Sequence, residues 1–215
     1  MCVRNVDRAQ EVSNPDGATQ HAARPRRPVA YRDLPPAALI EHALSSGDAM
    51  LTDHGALAVT TGEHTGRSPQ DKYIVRHGAM ADEIWWGDVN QPMSVDAFAA
   101  LRADIQDHLA RHDTFHANLS VGADAAYALP VRLHSESAWA ALFAHNLLLP
   151  GRGAGGGDAW TIWHAPTMAA RPHRHATRSA TAIALSFAER TVLIAGTRYA
   201  GEIKKAMFTV MNGCL

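Results

Sequence analysis

Four segments of the chain have hydrophobic residues at three- and four-residue steps, the pattern of amphipathic helices. The first begins at Pro35 and Pro36 and ends before Gly47, the second is capped by Ser94, the third begins at Ser135, and the fourth covers residues 202–211. The apolar faces predicted for them are Leu39, Ile40, Ala43 and Leu44; Phe98, Leu101, Ile105 and Leu109; Trp139, Leu142, Phe143 and Leu147; Ile203, Met207, Val210 and Met211.

Strands are predicted between these helices. Residues 115–121 alternate apolar and polar side chains, the pattern of a half-buried strand. Shorter apolar runs bounded by turn residues predict strands at residues 56–60, 73–75, 160–163, 182–187 and 192–195. Strands and helices mix without strict alternation, which predicts an α/β or α+β fold rather than a doubly wound sheet.

Two stretches interrupt the pattern. Residues 1–30 are rich in Arg, Asn, Pro and Gly without a hydrophobic period, which predicts a flexible leader. Residues 151–157 are rich in glycine and predict a flexible joint. This joint is not a Walker phosphate loop, because no Lys-Ser or Lys-Thr follows its last glycine. One domain over residues 31–212 is therefore expected.

Composition and net charge argue against several classes of function and partner. The chain has 215 residues and a formal net charge of -1, which argues against broad attraction to nucleic acid or to an anionic membrane. The two cysteines lie at the chain ends and offer no disulfide framework, so a reducing compartment is expected. No apolar run approaches the ~20 residues of a membrane span, and we therefore expect a cytoplasmic protein.

The loop at residues 60–69 could bind a small anion. Gly62 and Gly66 permit tight turns, and Arg67 can present a bidentate guanidinium to a carboxylate or phosphate. Loops of this composition are common, and a structural turn with a surface ion pair is the alternative interpretation.

Lys204 and Lys205 stand in the first turn of the last predicted helix. Neighbouring helical residues point about 100° apart, so the two lysines would face different targets. Lysines at a helix N-terminus oppose the usual preference for acids there, which indicates a functional site. A lysine near other cations can also lose its proton and ligate a metal. Two solvated lysines on a surface helix are the alternative.

Histidines at 108, 112 and 116 follow four-residue steps and could line a metal site if the helix continued. A strand is expected from Thr114, and no carboxylate or cysteine completes the set in the sequence. Solvated histidines are therefore the favoured interpretation, for His173 and His175 as well.

Four segments, in this order, carry a resemblance to a known family: TGEHTGRSPQDKYIV, IWWGDVNQP, WTIWHAPTMAARPHRHATRS and VLIAGTRYAGEIKKAMFTVMN. Together they resemble the N-terminal domain of ATP-dependent phosphoenolpyruvate carboxykinases, in which a mixed sheet is flanked by helices. Ala176 and Ala180 stand where the family usually has Gly and Glu.

The resemblance implies conversion of oxaloacetate and ATP to phosphoenolpyruvate, ADP and carbon dioxide in gluconeogenesis, with magnesium on the nucleotide and manganese at the substrate. It implies that Arg67 holds a substrate carboxylate and that Tyr199 lies beside the substrate. Lys205 would coordinate manganese and contact substrate and nucleotide, and Lys204 would reach toward the phosphates. We expect Arg67, Lys204 and Lys205 to form one wall of a pocket for a small dicarboxylic acid.

The family's P-loop, its manganese-binding His and Asp, and further arginines have no counterpart in these 215 residues. The C-terminal nucleotide-binding domain is therefore expected to be absent and the chain to be an inactive fragment. The resemblance also implies a monomer. A non-catalytic anion-binding module, or a gene remnant without activity, is the alternative.

Overall fold

The computed structural model describes residues 26–78, 80–151 and 159–214. The predicted leader lies outside the described residues up to position 25, and the predicted joint lies outside them from position 152. Residues 26–30, which the leader prediction included, contact the folded body. The Val29 N–H donates to the Asp113 carboxylate over 2.8 Å, and the first strand begins at Ala30.

The helices and strands follow one another in mixed order. The strands are β1 (Ala30–Arg32), β2 (Ala49–Leu51), β3 (Leu57–Val59), β4 (Lys72–Val75), β5 (Gln91–Met93), β6 (Thr114–Val121), β7 (Leu129–Ser135), β8 (Leu149–Pro150), β9 (Trp160–Ala165), β10 (Ala182–Ser186) and β11 (Thr191–Ala195). The helices are α1 (Pro36–Ser45), α2 (Met80–Glu83), α3 (Val95–Leu109), α4 (Ala138–Leu147), α5 (Pro172–His175) and α6 (Gly201–Cys214), and Pro69–Asp71 forms a 3-10 turn.

Nine strands of the described chain form one mixed sheet in the order β1-β6-β7-β9-β11-β10-β4-β5, with β8 also on β6. The neighbours are parallel except for β6 with β7, β6 with β8, and β10 with β11. A small antiparallel pair, β2 and β3, lies outside this sheet. The predicted mixed α/β fold is confirmed.

Both faces of the sheet are covered, as the alternation of side chains along a strand requires. Ile183 and Leu185 of β10 belong to the core shared with α1, α4 and α6. Ala182 and Ala184 of the same strand belong to the core shared with α3. All residues of β10 and β11 are buried, as expected for central strands of a three-layer domain.

Three of the four predicted helices are confirmed with their core faces. In α3 the Ala97 N–H donates to the Ser94 hydroxyl over 3.2 Å, which is the predicted cap. After α1, Gly47 has φ +77, a left-handed conformation that suits glycine at a helix end.

The start of α4 was predicted wrongly at Ser135. That residue ends β7, and Ser137 caps the helix by accepting from the Ala140 N–H. The buried face consists mostly of small residues, while Leu147, predicted to face inward, is 38% exposed. Small side chains on this face let α4 approach α1 and the sheet closely.

Candidate functional site

Two loops that are far apart in the sequence meet at the first turn of α6. The backbone N–H of Ser68, which follows Arg67, donates to Glu202 Oε1 over 2.7 Å. Glu202 is in the first turn of α6 and is 5% exposed. A buried carboxylate that accepts a backbone N–H makes a strong, directional link. The two segments predicted to bind anions are therefore held together.

The first loop is fixed further by His64. Its Nδ1 lies 3.0 Å from Ser68 Oγ and its Nε2 lies 2.8 Å from Thr181 Oγ1. The Thr181 hydroxyl also lies 3.0 Å from the carbonyl oxygen of Gly196, where the second loop begins. This network positions the Arg67 backbone against β10 and β11.

The second loop depends on two glycines. Gly196 has φ +73, and a Cβ there would collide with the Ala180 carbonyl. A Cβ at Gly201 would lie 2.5 Å from the Tyr199 ring. Glycine at these positions lets the chain turn out of β11 and packs the half-buried Tyr199 against the start of α6.

A cavity of about 210 Å³ lies between the two loops. Its polar lining includes Arg67, Ser68, Lys72, Glu202 and Lys205. Three cationic side chains and one carboxylate favour an anionic ligand. In the part of the chain that the structure describes, neither Arg67 nor Lys205 is in an ion pair, so both charges are available to a ligand.

The structure brings Arg67 and Lys205 together, but it does not place Lys204 with them. Lys204 lines a second cavity, beside Met207 and Phe208. The Lys204 and Lys205 ammonium groups lie 5.8 and 5.5 Å from the centre of the Phe208 ring. The expected single wall of three cations is therefore wrong. The two lysines line different cavities, as the divergence of about 100° between consecutive helical residues predicts.

Burial and neighbouring charges shift the pKa values of two side chains in this cavity in opposite directions. Burial raises the pKa of Glu202, against the Ser68 hydrogen bond and the charge of Arg67, which lower it. Burial likewise lowers the pKa of Lys72, against the charge of Glu202, which raises it. An anion bound here would favour the protonated form of Lys72, because a nearby opposite charge stabilises an ammonium group.

Lys72 and Glu202 were not predicted as site residues. The chain has three lysines, and all three lie in the two motif segments that form this cavity. The scarcity of lysine was therefore a usable signal. Glu202 gave none, since an acid in the first helical turn is common.

His112 and His173 are exposed, as the favoured interpretation of solvated histidines predicts, but other histidines depart from it. His175 is fully buried rather than solvated, because its Nε2 lies 2.7 Å from Asp104 Oδ2 and its Nδ1 accepts from the Arg171 N–H. His116 faces His134 across the β6–β7 pair, with 2.9 Å between their Nδ1 atoms. The expectation that no carboxylate completes the set of His108 and His112 was wrong. Glu136, 28 residues from His108 in the sequence, forms a hydrogen bond with His108.

The sequence profile of the family described as Phosphoenolpyruvate carboxykinase matches residues 29–215. The chain belongs to this carboxykinase family. A protein of Thermus thermophilus named Phosphoenolpyruvate carboxykinase (ATP) is 45% identical over 195 residues, which are 87% of this chain and 37% of that protein. Proteins of the same name from Allorhizobium ampelinum and Brevibacillus brevis are 48% and 45% identical over 185 and 186 residues.

These two alignments each cover 85% of this chain, and 34% and 35% of the relatives. The chain thus spans about a third of the length of the curated relatives it matches. The predicted family resemblance is confirmed. No helix among residues 26–78, 80–151 and 159–214 has the length and apolar character needed to cross a membrane.

Proposed function

We propose that this chain supplies the substrate-side wall of an ATP-dependent phosphoenolpyruvate carboxykinase. That enzyme would convert oxaloacetate and ATP to phosphoenolpyruvate, ADP and carbon dioxide, a step of gluconeogenesis. The observation that supports the proposal is the cavity in which Arg67 and Lys205, from two distant loops, lie around the Ser68–Glu202 hydrogen bond. Family membership supports the reaction class.

In this proposal each side chain has a role that follows from its chemistry. The Arg67 guanidinium binds a substrate carboxylate through two parallel hydrogen bonds. Lys205 stabilises the negative oxygen that develops when decarboxylation leaves an enolate. Tyr199 is outside the lining of the cavity, and its role beside the substrate is proposed from the family resemblance alone. Lys204, on the neighbouring face of α6, reaches toward the transferred phosphate rather than the substrate carboxylates.

The metal expectations belong to this proposal as well. Manganese would require Lys205 as a neutral amine, whereas the ammonium form of Lys205 would face the substrate when no metal is bound; magnesium would accompany ATP. The Arg67 cavity does not offer a complete metal site: its lining has one carboxylate, on Glu202, whose Oε1 accepts from Ser68. We therefore assign no catalytic step to a metal held by these residues alone.

We also propose that the isolated 215 residues are catalytically inactive, monomeric and cytoplasmic. A phosphate loop is missing from their sequence, so they should form no phosphoenolpyruvate from oxaloacetate and ATP, with magnesium and manganese present. A coupled assay on the purified chain measures this. Phosphoenolpyruvate production above the no-protein control would contradict it.

A chimera tests the proposed function itself. Residues 29–215 would replace the matching third of the Thermus thermophilus relative, and the chimera would be assayed for phosphoenolpyruvate. The folded chimera should be active, and Arg67→Gln in it should lower kcat/KM by roughly 10²-fold or more, the scale seen when a positioning group is removed. A folded chimera without activity, or one indifferent to Arg67→Gln, would contradict the proposal.

A further inference from the structure

Three metal-ligating side chains form a group that shares no residue with the lining of the Arg67 cavity. They are His108, His112 and Glu136, and one ligand atom from each lies within 4.8 Å of the others. We propose that these residues bind a divalent transition-metal ion of the zinc class. Two histidines and one carboxylate, with a fourth position open to solvent, are a common ligand set for zinc.

The local chain conformation puts both histidines on one side. His108 is in the last turn of α3, and the turn continues because the His112 N–H donates to the Leu109 carbonyl over 3.1 Å. The two rings stack with centroids 4.2 Å apart and planes 25° apart. Histidines four residues apart on a helical turn can ligate one ion.

The hydrogen bond that His112 makes through Nδ1 leaves Nε2 free to bind a metal. Its Nδ1 lies 2.8 Å from the carbonyl oxygen of His108, which can only accept, so Nδ1 carries the proton. The Nε2 atom of the neutral ring then keeps its lone pair. In metal sites, the histidine ring nitrogen that does not bind the metal usually donates its N–H to a carbonyl, which orients the ring in this way.

Glu136 is held in place for the same purpose. Its Oε1 accepts from the Thr167 N–H over 2.8 Å and from the Thr167 hydroxyl over 2.9 Å. Its Oε2 accepts from the His108 Nε2–H over 2.8 Å, so a zinc ion bound here would replace that proton. The Glu136 side chain is only 5% exposed, and a buried carboxylate is stabilised by hydrogen bonds and by a nearby positive charge. A divalent cation between Glu136 and His108 would supply this charge.

The open side of the group faces space for a further ligand. His112 and Glu136 line two cavities, of about 460 and 260 Å³. The ligand atoms of one tetrahedral zinc ion lie roughly 3.4 Å apart at ordinary bond lengths, so the three side chains would rotate closer together on binding an ion. A purely structural His108–Glu136 hydrogen bond would give His112 no role, and His112 therefore distinguishes the two interpretations.

Calorimetric titration of the chelator-treated full chain with zinc chloride tests the proposal. The wild-type chain should bind zinc, and His112→Gln and Glu136→Gln should each weaken the strongest site by roughly tenfold or more. The control is His77→Gln, an exposed histidine outside the group, which should change the affinity less than about twofold. His112 is also exposed, so its variant should fold like the wild type.

Two results would overturn the proposal. One is a wild-type chain that binds no zinc, and the other is zinc binding by His112→Gln that matches the wild type. If Glu136→Gln fails to fold, His112→Gln decides alone. Cobalt(II) provides a second measurement, because its visible absorption on binding should be lost in His112→Gln and kept in His77→Gln.

Discussion

The Ser68 N–H and the Glu202 carboxylate, 134 positions apart in the sequence, form a buried hydrogen bond of 2.7 Å. This contact joins the loop of Arg67 to the helix of Lys205. The arrangement explains why an acid occupies a position where burial disfavours its charge.

Replacing Glu202 should therefore reduce stability. Glu202→Ala leaves the buried Ser68 N–H without an acceptor, and we expect a loss of about 1–3 kcal/mol in the free energy of unfolding. Glu202→Gln keeps an acceptor oxygen and should cost less. Urea unfolding of both variants measures the difference. Equal losses in the two variants would show that the hydrogen bond is not the cause.

Acidic pH should lower the stability of the fold through a second polar cluster, around Asp104. Burial alone would raise the pKa of this carboxyl, but hydrogen bonds from Arg174, Arg171 and His175 outweigh burial and hold it well below its ordinary value. Below about pH 4 the unfolded chain then binds more protons than the folded chain, so stability falls as the pH falls. Above about pH 4 the stability that ionised Asp104 contributes is fully present.

Asp104→Asn removes this contribution. At neutral pH the variant should lose about 1–3 kcal/mol, the scale of hydrogen bonds to charged groups. Its stability should also fall less steeply than that of the wild type as the pH is lowered below about 4. Urea midpoints measured at neutral and acidic pH test both statements. Parallel pH profiles would exclude Asp104 as the titrating group.

The αL conformation of Ala176 offers a stabilising substitution. Ala176 has φ 50 and ψ 39 at the end of α5, where an L side chain is strained. Ala176→Gly should raise the free energy of unfolding by about 0.5–1 kcal/mol. The control is Ala103→Gly, at an exposed position within α3, which should lower it by roughly 1 kcal/mol. A destabilised Ala176→Gly would contradict the strain argument.

Elements with a strong local signal were predictable from the sequence. The alternation along residues 115–121 and the cap at Ser94 act within a few residues, and both appear as β6 and α3. The strand β7 was not predicted, although Leu129, Val131 and Leu133 alternate, because Pro130 argues against a strand interior. Short strands such as β1 and β5 form only through their neighbours in the sheet.

The candidate site was predictable only in part. The motifs of Arg67 and Lys205 stood out by residue type, and their meeting in one cavity was expected from the family resemblance. The divergence of Lys204 from Lys205 follows from local helix geometry and was predictable. The partial burial of Lys72 and the approach of Glu136 to His108 result from tertiary packing. No local pattern encodes these contacts, because each joins a loop to a distant helix or strand.

Calorimetric titration with oxaloacetate tests most directly whether Arg67 and Lys205 form one anion site. The wild-type chain should bind, and Arg67→Gln and Lys205→Met should each weaken binding by roughly tenfold or more, about 1.4 kcal/mol. Arg111→Gln, at an exposed position outside the cavity, should leave the affinity unchanged. Wild-type affinity in both Arg67→Gln and Lys205→Met, or no binding by a folded wild-type chain, would contradict the account.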